Sequence, residues 1–170
     1  MGSYLLEQRN NFIIYVYRVR KRMTTEHGVK SIMPKQAWEL LESNPKAVLI
    51  DVRSEMEYLF VGHPKGCIHI SWIDGPDWQK NPNFMSEVRK VLLGGIISDH
   101  DDEEHTVESA PILIICRSGA RSLDAGKLLI SEGFDNVYNV LEGFEGDLDS
   151  NHQRSTIGGW RFHQLPWEQC

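Results

Sequence analysis

Cysteine is scarce in this 170-residue chain: Cys67, Cys116 and Cys170 are the full set. Three scattered cysteines make no disulfide framework, and the odd count leaves at least one thiol unpaired, so a reducing compartment is expected. Long apolar runs are also missing. The longest near the start, Phe12-Ile13-Ile14-Tyr15-Val16-Tyr17, falls far short of the roughly 20 residues that a membrane-spanning helix needs. Basic residues follow this run and no small-residue cleavage site comes after it, the reverse of a secretory leader. There is no low-complexity tract, no internal repeat and no excess of positive charge. The formal net charge is −6, which argues against a nucleic-acid binder. These absences lead to the expectation of a cytoplasmic chain with one domain, long enough to bury its own core.

Metal ligands at useful spacing are lacking too. Cys67 has no cysteine partner near it, and His100 and His105 stand among carboxylates. Asp147, Asp149 and Asn151 imitate the opening of a calcium loop, but His152 replaces its glycine and Gly158 its closing glutamate. No metal or other cofactor is expected.

What is present divides unevenly. Residues 1–22 hold Arg9, Arg18, Arg20, Lys21 and Arg22 against Glu7, a net of +4, so the remainder carries −10. An anion site in so acidic a body must be made locally. We read residues 1–30 as a loosely ordered extension and residues 31–170 as the domain, since chain ends are commonly loose. The rival reading makes residues 12–22 an interfacial anchor on an anionic membrane.

From Ser31 onward strand and helix patterns alternate. Pro34 suits the first turn of a helix with Ala37, Trp38, Leu40 and Leu41 on its apolar face, ended by Asn44-Pro45. Ala47 to Ile50, Cys67 to Ile70, Ile112 to Ile115 and Val137 to Val140 read as strands. Ser54 and Glu57 form the pattern of a capping box for a short helix. A helix is expected from Phe84 to Leu93, stopped by Gly94-Gly95, and another from Ser122 to Glu132, closed by Gly133. The acidic stretch 98–109 reads as a solvated loop. Strands separated by helices imply an α/β fold with a mostly parallel sheet and helices on both faces.

Ligands of such sheets bind beyond the carboxyl ends of the strands. Cys116 stands at such an end, followed by Arg117, Ser118, Gly119, Ala120 and Arg121 and then a helix. Backbone N–H groups of a loop entering a helix converge on one anion, and the helix dipole adds positive potential. That setting favours the thiolate, the nucleophilic form of cysteine. Gly119 permits a turn that other residues resist.

The segment Cys116-Arg117-Ser118-Gly119-Ala120-Arg121-Ser122 resembles the active-site loop of the rhodanese family. Further matches are Leu49-Ile50-Asp51-Val52-Arg53, Gly62-His63-Pro64 with Gly66, and Leu141 through Leu148. Gly159-Trp160 and Leu165-Pro166-Trp167 resemble the tails of bacterial single-domain members. The resemblance covers about residues 31–167. It implies a rhodanese-like open sheet of five strands and a ping-pong transfer. In that scheme Cys116 takes a sulfane sulfur from a donor such as thiosulfate and passes it from a persulfide to cyanide or a thiol. The loop residues 117–121 would bind the donor, with Arg121 on its anionic end and Arg117 at the mouth; Asp51 and Arg53 would support the strand end. A carrier handing sulfur between proteins is the alternative. A related cysteine-loop phosphatase or arsenate reductase has five residues between Cys and Arg, whereas four separate Cys116 from Arg121 here.

Overall fold

The computed structural model describes residues 28–98 and 110–169. Its centre is a five-stranded, wholly parallel sheet. In chain order the elements are β1 (Lys30–Ile32), α1 (Pro34–Ser43), β2 (Val48–Asp51), β3 (His63–Pro64), β4 (Ile68–His69), β5 (Ile73–Asp74) and β6 (Gln79–Lys80). There follow α2 (Phe84–Ser98), β7 (Ile112–Ile115), α3 (Ala120–Ser131), β8 (Val137–Val140) and β9 (Trp167–Glu168). The sheet order is β1-β8-β7-β2-β4, so β7 lies in the middle.

The position of β7 follows from its composition. All four of its side chains are fully buried, and each large aliphatic gains about 1.5–3 kcal/mol on leaving water. An edge strand would forfeit part of that on one face. Period-two alternation sends Ile112 and Ile114 into one core with Phe84, Val88 and Leu92 of α2 and Ala125 and Leu129 of α3. Leu113 and Ile115 enter the other with Ala37 of α1, Phe144 and Trp160. Helices therefore cover both faces, as the α/β reading requires.

Several local readings change. The fifth strand is β1, pairing Lys30 to Tyr138 and Ile32 to Val140. Val29 before it is fully buried in the core, so the body of the fold takes in two residues that a boundary at 31 leaves out. Helix α2 does not stop at Gly94-Gly95 but runs to Ser98; a glycine costs a helix only about 1 kcal/mol and does not block it. The turn after Ser54 has the expected capping box, with Ser54 N–H donating to Glu57 Oε2 at 3.1 Å and Glu57 N–H to Ser54 Oγ at 3.3 Å. It continues, however, as a π-helical turn over Glu57–Val61. The readings for residues 1–27, the membrane-anchor alternative among them, and for the acidic stretch 99–109 fall outside the described residues.

Candidate active site

Strand β7 delivers Cys116 to the carboxyl edge of the sheet, where it is 1% exposed. The chain then turns through residues 117–119 into α3. Gly119, with φ of 92°, occupies the N-cap position, a conformation that costs other residues roughly 1–2 kcal/mol. It aims its N–H at the sulfur, 3.1 Å from Cys116 Sγ. The outer side of the loop is fixed by the turn after β8. Phe144 N–H donates to the Cys116 carbonyl at 2.8 Å and Glu145 N–H to the Arg117 carbonyl at 3.0 Å. Because a trans peptide sets its N–H opposite its C=O, the N–H groups of Arg117 and Ser118 point away from that turn. Gly143 makes the contact possible: a β-carbon there would lie against the Cys116 carbonyl and 2.6 Å from the Arg117 carbonyl carbon.

The two loop arginines have different situations. Arg121 makes a paired bond to Glu57, Nη1 to Oε2 and Nη2 to Oε1, both at 2.7 Å. Burial by itself would raise the Glu57 carboxyl; the hydrogen bonds and charge of Arg121, aided by Ser54, outweigh it and hold Glu57 down at about 2. Burial likewise works against the Arg121 guanidinium, and Glu57 overcomes it, so its pKa is raised and Arg121 stays charged. Arg117 sits 4.0 Å from Glu57 and is half exposed, at 48% of its side chain. Of the two loop arginines, Arg117 is the more exposed, and Arg121 is paired with Glu57.

Asp51 and Arg53 are entirely buried. Arg53 Nη2 donates to Asp51 Oδ2 and to the Gly62 carbonyl, each at 2.6 Å, and its guanidinium lies 4.3 Å from the Phe144 ring centre. Arg53 Nη1 is 3.8 Å from Glu145. The pair thus ties the end of β2 to the turn after Ser54 and to the loop that braces Cys116.

Ser118 is partly buried and Ala120 begins α3 on its exposed side. Ser122, one residue past Arg121, places its hydroxyl 3.2 Å from Cys116 Sγ and 2.6 Å from Asn139 Oδ1 of β8. Glu57, as the partner of Arg121, and Asn139 were missed by sequence reasoning. Asn139 had a signal: it is the polar member of the strand Val137-Tyr138-Asn139-Val140, and a buried amide must find partners. Glu142 is also buried, accepting from Gly159 N–H at 2.8 Å and lying 2.8 Å from His163 Nε2. Trp72 is a core residue and Trp78 an exposed one, at 4% and 63% exposure. In the stretch that imitates a calcium loop, Asp149 accepts from the N–H groups of Asn151 and Gln153 and from Thr156 Oγ1.

Cys67 is the other free thiol among the described residues. Burial, reinforced by the negative charge of Asp51, pushes it up to about 12, so it stays protonated and unreactive near neutrality.

Comparison with known proteins places this geometry among relatives. The family model described as the rhodanese-like domain matches residues 33–149. An uncharacterised protein of Rickettsia conorii is 33% identical over 146 residues, covering 83% of this chain and 98% of that one. A thiosulfate sulfurtransferase, GlpE, of Haemophilus influenzae is 28% identical over 117 residues, or 69% of this chain and 86% of its own. The crystal structure of Rv0390 from M. tuberculosis superposes with a TM-score of 0.66 at 38% identity, covering 82% of this chain and 97% of that one.

Proposed function

Because this chain belongs to the rhodanese-like domain family, we propose that it is a sulfurtransferase working through a persulfide on Cys116. The supporting observation is the placement of Cys116 Sγ, buried at the end of the central strand under the Gly119 N–H. In the first half-reaction the Cys116 thiolate attacks the outer sulfur of thiosulfate. The S–S bond of the donor breaks, sulfite departs with the bonding pair, and Cys116 carries the sulfur as a persulfide. In the second, cyanide or a thiol attacks that outer sulfur and the thiolate is restored as leaving group. The Gly119 N–H acts on the charge at Sγ as oxyanion-hole donors do, without reorganising at the moment of reaction. Arg117 meets the anionic end of the donor, and Arg121, held by Glu57, fixes the first turn of α3 beneath it. The six-residue loop has four residues between Cys and Arg, a smaller cradle than a phosphate ester needs. The reaction draws on side chains and backbone alone and needs no cofactor.

Thiocyanate formation from thiosulfate and cyanide tests this directly. Wild type is expected to turn over, and Cys116→Ser to be inactive with an unchanged fold by circular dichroism. Exposure to thiosulfate alone should add the mass of one sulfur atom to the Cys116 peptide. A Cys116→Ser variant that keeps full transferase activity would sink the proposal.

A further inference from the structure

Two acceptors beside the reactive thiol compete for a single proton. The Ser122 hydroxyl has one hydrogen to give, and it lies between Cys116 Sγ at 3.2 Å and Asn139 Oδ1 at 2.6 Å. The orientation of the Asn139 amide is dictated by its other end, where Nδ2 donates to the Gly119 carbonyl at 3.2 Å. Turning the amide over would set its oxygen against that carbonyl, acceptor facing acceptor. Oδ1 must therefore face Ser122 as an acceptor. Ser122 is fully buried and Asn139 is 3% exposed, so bulk water does not supply the missing hydrogen bond cheaply.

From this we infer that Asn139, acting through Ser122, is a positioning residue that sets how readily Cys116 gives up its proton. The inference rests on the reading of Cys116 as the sulfur-carrying nucleophile. When Sγ is uncharged, as thiol or as persulfide, the Ser122 proton goes to Asn139, and a thiol can itself donate to Ser122 Oγ. When the thiol proton leaves for solvent, the thiolate needs the Ser122 hydrogen, and Asn139 loses it. Asn139 thus opposes the thiolate and favours the uncharged sulfur of the persulfide. Gly119 ties the two halves together, since its N–H holds Sγ while its carbonyl holds the Asn139 amide.

Replacing Asn139 removes none of the charged side chains around this group. They are Arg117 and Arg121 on the loop and α3, Glu57 on the turn after Ser54, Asp51 and Arg53 beyond β2, and Glu142 and Glu145 after β8, with His163 on Glu142. Removing the neutral amide takes away its bonds to Ser122 and to the Gly119 carbonyl, and the Ser122→Ala background separates the first from the second.

The test is the rate of iodoacetamide alkylation against pH, read on the Cys116 peptide by mass spectrometry so that other cysteines do not contribute. For Asn139→Leu the profile is expected to move to lower pH, with alkylation about tenfold faster than wild type on its acid limb, the size of one hydrogen bond to a charged group. Ser122→Ala should move it the opposite way. In the Ser122→Ala background, Asn139→Leu should then have no further effect, whereas a merely structural role would shift both backgrounds alike. Asn139→Ala, which leaves space rather than adding bulk, repeats the measurement if the leucine variant does not fold. An unmoved or upward profile in a folded Asn139 variant, or equal shifts in the two backgrounds, overturns the inference. Alkylation does not depend on sulfur transfer, so loss of the transferase reading through an active Cys116→Ser variant would be seen separately.

Discussion

The paired bond between Arg121 and Glu57 separates the roles of the two loop arginines. Arg117→Ala removes a half-exposed side chain, and its stability cost should stay within about 0.5 kcal/mol. Its KM for thiosulfate should rise about tenfold, the worth of a charge-assisted contact; an unchanged KM in initial-rate assays would remove Arg117 from donor binding. Arg121→Ala strands the Glu57 carboxylate, and should cost about 1–3 kcal/mol in urea denaturation besides its effect on rate. Glu57 also predicts a pH dependence. Its carboxyl is held at about 2 in the fold against an ordinary 4.5. A depressed carboxylate stabilises fully above its unfolded value, and that contribution is lost as pH falls from about 4.5 through about 2. Glu57→Gln should thus be less stable than wild type near neutrality, with the gap closing across that window. Denaturation midpoints measured along the pH series check the sign.

Among the elements, the turn after β8 decides whether the cysteine loop holds its shape. Gly143 adopts φ of 64° with the Cys116 and Arg117 backbone where a side chain would start. Gly143→Ala should cost about 1–3 kcal/mol through backbone conformation alone. The displaced loop should lower kcat about a hundredfold, as misplacement of about an ångström does. Gly66 is the control, with φ of 75° and nothing within 4 Å of an added β-carbon. Gly66→Ala should lose only about 1–2 kcal/mol and keep its rate. Equal activity losses in the two variants would deny the Gly143 contact its role.

At the scale of the molecule, residues 150–169 belong to the fold although the family match stops at 149. Trp160 is fully buried, meets Trp38 edge-on at 6.0 Å, and donates from Nε1 to the Pro166 carbonyl at 2.8 Å. Farther on, β9 pairs antiparallel with β3, setting Glu168 opposite His63. Trp160→Ala should cost about 3–5 kcal/mol, a large share of the 5–15 kcal/mol typical of a domain. A chain ending at Asp149 should lose cooperative unfolding, which near-ultraviolet circular dichroism on heating would reveal; a sharp transition in that chain would make the tail dispensable.

Much of the site was legible before any tertiary structure. A short run such as Ile112 to Ile115, apolar and branched at every position, reads as a strand buried on both faces, and the chain from Cys116 through Gly119 to the apolar face of α3 is one continuous local pattern. Periodicity, caps and turn glycines act within a few residues, so they fix elements and the loops joining them. The partners of those loops obey no such rule. Glu57 reaches Arg121 across 64 positions and Asn139 reaches Ser122 across 17, and both meetings follow from the order β8-β7-β2 in the sheet. The fifth strand is three residues long, too short for a periodic signal and stable only against β8. The sequence alone determined a cysteine at the head of a helix. The tertiary packing decided which charge holds Arg121 and which amide takes the Ser122 proton, because burial makes each of those choices matter and only the folded chain sets what is buried together.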